Sequence, residues 1–482
     1  MNPLLILFLF FCYFLLIFLI SHFTSKNATS LDFFNANKSS PWYIVAFGMI
    51  GTSLSGVTFI SVPGEVGNSN FSYFQIVLGY LLGYFVIATI LMPLYYKLNL
   101  VSIYTYLDKR FGFFSYKTGS FFFLLSRIIG SSFRLFLVAS VLQIIFFDSL
   151  NIPFFISVFI TISLIWVYTY KGGIKTIVWT DTLQTFFMLS AVIITILIIM
   201  NEMDLNFSKA KDIIISSSYS DVFIFDWKNE RFFLKQFFSG AFIAIVMTGL
   251  DQDMMQKNLT CKNLSDAQKN IFWFCIVLLF ANILFLTLGA LLYLYADFIQ
   301  MPVPSRTDNL YPLIAINHLS IFGSIIFLLG IIAAAYSSAD SALTSLTTAF
   351  CIDFLNFEKR NDIQKKSVRL KVHLLFSVII FFVIQIFNLI NDESVINAIF
   401  KVAGYTYGPL LGLFSFGILT NYKIIDRYSP IICFVSPILS YIINIYSESL
   451  LFGYRFGFEI LLLNGLITFV GLFLISLKKQ PH

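Results

Sequence analysis

The chain has 482 residues, of which 58% are hydrophobic and only 12% are charged. A soluble globular protein carries about twice that share of charge, so the composition excludes an ordinary soluble enzyme and indicates a membrane protein. The net charge of +6 would suit nucleic acid, but basic loops account for it in a membrane protein, and we expect no nucleic-acid partner.

Long apolar runs predict about 13 transmembrane helices in a single domain over residues 1–482, because about 20 apolar residues cross a bilayer as a helix. The predicted class is therefore an all-α polytopic protein embedded in a lipid bilayer. The runs lie at 3–20, 42–63, 74–96, 121–147, 153–170, 176–200, 234–256, 271–296, 320–352, 372–390, 396–420, 428–446 and 456–476.

The distribution of Lys and Arg predicts the orientation of the chain. One set of alternate loops, which includes 257–270, carries 21 of these residues, and the opposite set carries 6. Cytoplasmic loops are enriched in Lys and Arg. We therefore expect the N-terminus outside and the C-terminus in the cytoplasm, in a bacterial-type inner (plasma) membrane.

The second run, PWYIVAFGMIGTSLSGVTFISVPGEVG, combines glycines and a proline with small hydroxyl side chains. Glycine weakens a helix, and short hydroxyls can replace lost backbone hydrogen bonds. This pattern predicts a discontinuous helix whose free backbone groups hold an ion or a solute at the midplane of the bilayer. Close helix packing through small residues is the alternative interpretation.

Arg127 and Arg134 are seven residues apart in the fourth run, so both lie on one helix face. A guanidinium group can bind a carboxylate through two hydrogen bonds. Arg134 is the deeper of the two and could bind a solute carboxylate or could instead pair with a carboxylate of another helix.

Three aspartates follow in the sixth and seventh runs. Asp181 lies inside GGIKTIVWTDTLQ, where an uncompensated charge is costly, so we expect it to pair with a cation or with hydrogen-bond donors. Asp251 and Asp253 lie in TGLDQDMMQK. They could be functional or could mark the cytoplasmic end of the helix.

The ninth run, GIIAAAYSSADSALTSLTTAFCIDF, carries serines and threonines at helical spacing on one face, with Asp340 beside them. Oxygen ligands suit hard cations, so the stripe predicts a sodium site. Hydrogen bonding between helices is the alternative. The sequence has no Walker, dinucleotide-binding, metalloprotease or nucleophile-elbow motif, so we expect no enzyme.

At GGIKTIVWTDTLQ, TGLDQDMMQ and SSADSALTSLTTAFCIDF the sequence resembles the sodium:solute symporter family. The resemblance implies the leucine-transporter fold, with two inverted five-helix repeats at about 42–200 and 234–420 and peripheral helices at 1–41 and 421–482. It implies sodium-coupled symport of a small organic solute by alternating access, with sodium as the coupling ion and a monomeric carrier. A proton-coupled symporter and an ion channel are the alternatives.

The resemblance also implies two cation sites. The first joins backbone carbonyls of the broken helix to a carbonyl and two hydroxyls of the ninth run, and matches Gly51, Leu54, Ala334, Ser337 and Ser338. The second, present in some members, matches Asp181, Asp340 and Ser341. An aspartate at 340 departs from the hydroxyl usual there, so this site could bind sodium or a proton.

The solute is indicated less directly. Members that carry neutral sugars have a Glu–Gln pair where this chain has Val57 and Thr58, which disfavours a neutral sugar, although a neutral sugar or amino acid stays an alternative. The sialic-acid branch binds a carboxylate with small hydroxyls and an arginine, so we expect a solute bearing a carboxylate. The expected solute-binding residues are Ser53, Ser55, Thr58, Arg134 and Lys401.

Overall fold

The computed structural model describes residues 3–25, 36–355, 357, 362–390 and 395–479. Within these ranges, seven helices are long and apolar enough to cross a membrane, and two bent helix pairs that pass the same test bring the number to nine. Four shorter apolar helices accompany them. The predicted all-α polytopic class is confirmed.

The helices are numbered here in chain order. They are α1 (Pro3–Ser25), α2 (Trp42–Ser53), α3 (Gly56–Ser69), α4 (Tyr73–Val86), α5 (Met92–Leu98), α6 (Thr105–Arg110), α7 (Phe113–Leu142), α8 (Phe154–Glu202), α9 (Phe207–Ser216), α10 (Phe233–Ala244), α11 (Gln252–Asn258), α12 (Leu264–Phe298), α13 (Leu310–Asn317), α14 (Ile321–Leu355), α15 (Asp362–Ile390), α16 (Val395–Thr406), α17 (Gly408–Leu419), α18 (Ser429–Ile445), α19 (Ser447–Leu450) and α20 (Ile460–Leu474).

The second apolar run forms two helices, as the sequence predicted. Helix α2 ends at Ser53 and α3 begins at Gly56. Between them, Leu54 has φ −83° and ψ 67°, and Ser55 is extended with ψ 179°. Such a break leaves backbone groups without helical partners, which is what a midplane binding site requires.

Two further helix pairs are bent. Helices α10 and α11 meet at 69°, and α16 and α17 meet at 48°. The two bends are joined, because the Tyr407 hydroxyl between α16 and α17 donates a hydrogen bond of 2.7 Å to Asp251, which precedes α11. Three interrupted helices therefore converge in the interior of the bundle.

Helix α8 contains both the fifth and the sixth predicted runs. Its hydrogen bonding continues through Gly173, whose φ of 57° and ψ of −162° are not helical. Glycine adopts positive φ without steric cost. The chain therefore changes direction at this residue, between the two predicted runs.

Two glycines let α2 approach the helices behind it. A Cβ atom on Gly48 would lie 2.9 Å from the Val178 carbonyl oxygen of α8. A Cβ atom on Gly51 would lie 3.1 Å from the Ser337 hydroxyl of α14 and 3.2 Å from the Asp181 carbonyl oxygen. Any larger side chain would push the broken helix away from α8 and α14.

The ends of the chain pack around this interior. Helix α1 packs through Phe14 against Tyr336 of α14, with ring centroids 5.0 Å apart. Two short strands, β1 (Tyr422–Ile424) and β2 (Ser476–Lys479), pair antiparallel. The sequence did not predict these strands, which tie the C-terminal segment to the end of α17.

Candidate functional site

A cavity of about 90 Å³ lies beside the break between α2 and α3. Four of the five residues predicted to bind a solute line it, namely Ser53, Ser55, Thr58 and Arg134. The tyrosines of α4 and residues of α10, α12 and α16 complete the wall. We call this space the central cavity.

Arg134 is half-buried in the wall of the central cavity. Among the described residues, no carboxylate forms an ion pair with it and no acceptor takes a hydrogen bond from it. Arg127, one heptad earlier on α7, is paired: its guanidinium forms a short ion pair with Asp253 and lies 3.8 Å from Asp251. Pairing with a helix carboxylate therefore applies to Arg127.

Asp251 and Asp253 are fully buried rather than at an exposed helix edge. The Asp251 carboxylate caps α11 by accepting 2.9 Å from the Asp253 amide, and it accepts the Tyr407 hydroxyl. These contacts, with Arg127, hold the bends of α10–α11 and α16–α17 against α7. The geometry gives both aspartates a role in packing the interior.

The residues predicted for the first sodium site come from α2 and α14, which are in contact at Gly51 and Ser337. Ala334, Ser337 and Ser338 are all buried. The Ser338 hydroxyl donates to the Ala335 carbonyl at 3.1 Å, which leaves its oxygen lone pairs able to accept a cation.

Asp181 of α8 is fully buried and lies at a junction of four helices. One carboxylate oxygen accepts a hydrogen bond of 2.9 Å from Ser337. The other accepts Thr52 at 3.0 Å and the Lys257 ammonium at 2.5 Å. The expectation that Asp181 pairs with a cation or with donors is confirmed, and the cation is a lysine of the same chain.

Sequence reasoning missed Lys257, which it assigned to a cytoplasmic loop. The structure makes it part of α11, fully buried, with its ammonium on both Asp181 and Thr52. A buried ammonium needs a carboxylate partner. The available signal was its place six residues after Asp251, where Met254 and Met255 continue an apolar helix instead of opening a loop.

The other two residues of the predicted second site lie one turn along α14. Asp340 is fully buried, accepts 2.6 Å from the Ser341 amide, and interacts electrostatically with Tyr13 of α1. The Ser341 hydroxyl oxygen is buried and has no hydrogen-bond partner among the residues that the structure describes. Asp181 thus contacts the hydroxyl face of α14 at Ser337, and Ser341 lies one turn further along that helix.

Lys401 is separated from the other predicted solute-binding residues. It is exposed and lines a second cavity of about 480 Å³, which we call the outer cavity. Tyr73 and Phe400 border both cavities, and their rings stack with centroids 6.5 Å apart. The two aromatic rings therefore lie between the outer cavity and the central one.

A loop beside α13 also packs onto the site. The Asp308 carboxylate accepts a hydrogen bond of 3.1 Å from the Val395 amide at the start of α16, and a Cβ atom on Gly64 of α3 would lie 2.6 Å from the Thr307 carbonyl oxygen. Burial raises the pKa of Asp308 to about 6, partly offset by the hydrogen bond from Val395. This loop thus contacts two helices that line the central cavity.

Residues 33–422 match the family model described as the sodium:solute symporter family. The sodium/sialic acid symporter NanT of Aliivibrio fischeri is 25% identical over 429 residues, which cover 83% of this chain and 80% of that protein. Sodium-coupled monocarboxylate transporter 1 of Xenopus laevis is 24% identical over 409 residues, which cover 81% of this chain and 63% of that protein.

A solved structure of a substrate-bound, outward-open sodium-coupled sialic acid symporter has the same fold. It superposes with a TM-score of 0.83 at 19% identity, covering 98% of this chain and 99% of that one. The leucine-transporter fold implied by the sequence motifs is confirmed.

Proposed function

We propose, given that this chain belongs to the sodium:solute symporter family, that its solute bears a carboxylate that Arg134 binds in the central cavity. Family membership makes the chain a multi-pass, sodium-coupled symporter and not an enzyme. The chemical class of the solute is the part that the proposal adds.

The observation that carries the proposal is the guanidinium of Arg134 in the cavity wall, which forms no ion pair with any carboxylate that the structure describes. An arginine inside a membrane protein is costly unless an anion or an acceptor meets it, and a carboxylate fits its two parallel N–H groups. Ser53, Ser55 and Thr58 add hydroxyls to the same wall. A neutral sugar would leave the positive charge without a partner.

The first sodium ion is proposed to bind between α2 and α14. Its ligands would be oxygens, which hard cations prefer: the carbonyls of Gly51, Leu54 and Ala334 and the hydroxyls of Ser337 and Ser338. The contact between Gly51 and Ser337 supports this site. A cation that bridges the two helices favours the conformation in which they touch, and so couples ion binding to solute binding.

A second sodium is proposed at Asp181, Asp340 and Ser341, where it would share Asp181 with Lys257. The energetic consequence is large. A tenfold sodium gradient is worth about 1.4 kcal/mol per ion, and each net charge moved across 100 mV adds about 2.3 kcal/mol. One sodium with a monoanion therefore gives about tenfold accumulation, whereas two give about 5 kcal/mol, or several thousandfold.

The proposed orientation has the outer cavity facing outside. The loops at that cavity, which contain Glu230 and Gly457, belong to the set poor in Lys and Arg, and this supports an outside N-terminus and a cytoplasmic C-terminus in a bacterial-type inner membrane. A monomeric carrier remains a sequence prediction. The repeats at 42–200 and 234–420 remain a sequence prediction.

Thermal stability of the purified protein in detergent tests the proposal, because a ligand that binds the folded state raises it. We expect acids such as N-acetylneuraminate or gluconate to stabilise the protein in sodium more than in potassium, and neutral sugars to have no effect. Arg134→Gln should abolish the response to acids and keep the response to sodium alone.

Three results would contradict parts of the proposal. Stabilisation by neutral sugars in both the wild type and Arg134→Gln would show that the solute needs no carboxylate. A solute response that follows pH and ignores sodium would indicate proton coupling. Conductance far above carrier turnover in reconstituted bilayers would indicate a channel.

A further inference from the structure

The wall of the central cavity contains one more polar group whose bonding is incomplete. Asn282 of α12 is 2% exposed and lines the cavity. Its side-chain nitrogen donates 2.8 Å to the Leu278 carbonyl one turn earlier. Within the described part of the chain, no donor meets its side-chain oxygen.

The orientation of this amide is set by the contact with Leu278. Turning the group over would place its oxygen against the Leu278 carbonyl oxygen, where two acceptors repel each other. The nitrogen therefore stays on the helix, and the oxygen is the atom left to face a ligand. A buried carbonyl oxygen without a hydrogen-bond donor is unfavourable. A solute that places a donor at this oxygen should therefore bind more tightly than one that does not.

Asn282 and Arg134 reach the cavity from two different helices. Helix α12, which carries Asn282, packs against α2, α3 and α4. Helix α7, which carries Arg134, packs mainly against α14, α15 and α16, and both α7 and α12 also contact α3 and α8. A solute that contacts both side chains therefore links α7 to α12, and it must present an acceptor to Arg134 and a donor to Asn282.

We infer that the side-chain oxygen of Asn282 recognises the solute by accepting a hydrogen bond from a hydroxyl or amide N–H group of the solute. The substrate is then a hydroxylated or amide-bearing acid and not a plain alkyl monocarboxylate. This inference rests on the proposed function, which supplies the carboxylate. It adds the second recognition point and separates two classes of acid that Arg134 alone would bind equally.

The test compares acids that share the carboxylate and differ in donors: N-acetylneuraminate and gluconate against hexanoate, and lactate against propionate, a pair that differs by one hydroxyl. Affinities are measured in sodium by the concentration dependence of thermal stability. We expect the wild type to prefer the donor-bearing acid in each pair. Asn282→Leu keeps a similar volume without the acceptor and should weaken the donor-bearing acids by about tenfold or more, with hexanoate and propionate unchanged.

Asn270 is the matched control. It is also a buried asparagine of α12, and its side-chain oxygen also has no hydrogen-bond partner among the described residues. Unlike Asn282, it does not line the central cavity. Asn270→Leu should leave the preference between acids intact, whatever its effect on stability. Equal weakening of both members of each pair by Asn282→Leu, or no weakening, would overturn the inference and leave the carboxylate proposal standing. A wild type that binds no acid would overturn both.

Discussion

Two regions of α7, one heptad apart, carry the same residue in opposite situations. Around Arg127 the protein supplies every charge: Asp253 and Asp251 face the guanidinium, and Tyr407 donates to Asp251. Around Arg134 the wall offers hydroxyls and the asparagine of α12, and no described carboxylate pairs with the guanidinium.

The difference separates packing from recognition. A buried charge that the protein pairs adds rigidity and specificity to the fold, whereas one that is left without a partner has an unfavourable free energy until a ligand pairs with it. Arg127 therefore holds two of the interrupted helices, α10–α11 and α16–α17, against α7, and Arg134 is proposed to bind the solute. The two arginines should respond in opposite ways to the same substitution.

The largest expected effect is on Arg127. Arg127→Met leaves Asp251 and Asp253 buried without their cation, and breaking a buried ion pair from one side costs about 3–5 kcal/mol. We expect a clear fall in the thermal stability of the detergent-solubilised protein, with or without solute. Arg134→Met removes no hydrogen bond or ion pair among the described residues and should leave stability without solute unchanged or slightly raised.

The double variant Arg127→Met/Asp253→Leu also removes one of the two carboxylates that Arg127→Met leaves without a cation. It should therefore regain part of the stability that Arg127→Met loses. If Arg127→Met and Arg134→Met lost the same stability, the distinction between the paired and the open arginine would be wrong.

The sequence could predict which residues are special better than it could predict their partners. The broken helix at Leu54 and Ser55, the hydroxyl stripe on α14, and the cavity positions Ser53, Ser55, Thr58 and Arg134 follow from local composition and family motifs. Local patterns suffice there, because a glycine-rich, hydroxyl-rich helix is unusual wherever it packs.

Partners depend on the tertiary fold, which brings distant segments together. The two arginines of α7 look alike in sequence. Only Arg127 has a structural role, because the fold brings Asp253 next to it. Lys257 reads as one more basic residue at a loop, yet it meets Asp181, 76 residues away. Asn282 gave no signal at all, since a lone asparagine in an apolar helix has no pattern.

A second prediction concerns Asp181, whose situation lies between those of the two arginines. The protein supplies a cation, Lys257, to a carboxylate that is also proposed to bind sodium. Lys257→Met removes that cation, so we expect lower stability in potassium and recovery in sodium, because sodium can take the place of the ammonium. The measurement is the difference in melting temperature between the two salts, which should be larger in the variant than in the wild type.

The control for this prediction removes the carboxylate as well. Lys257→Met/Asp181→Asn removes both members of the ion pair, so no carboxylate is left without its ammonium, and the variant should lose the enlarged response to sodium. An unchanged difference in melting temperature between sodium and potassium in Lys257→Met would mean that sodium does not bind at Asp181. The proposed second sodium site would then be wrong.

The smallest effect is expected at Asp308, where the described residues supply a hydrogen bond to only one of the two carboxylate oxygens. One carboxylate oxygen accepts from Val395, and the other has no partner among the described residues. Burial raises the pKa of Asp308 to about 6; the Val395 amide, the Ser61 hydroxyl and Arg306 oppose the rise, and Glu65 adds to it. The folded state therefore holds its proton at a higher pH than the unfolded chain does.

A pKa raised on folding makes stability fall as pH rises between about 4 and 6, with no further change above that window. The shift bounds the loss at about 3 kcal/mol. Asp308→Asn keeps an oxygen for Val395 and cannot ionise, so its stability relative to the wild type should grow from near zero at pH 4 to its full value at pH 7. Because other carboxylates titrate in both proteins, the quantity to follow is the difference between their melting temperatures against pH. A difference that stays constant would show that Asp308 is already ionised without penalty, and that half a set of partners is enough for a buried carboxylate in this loop.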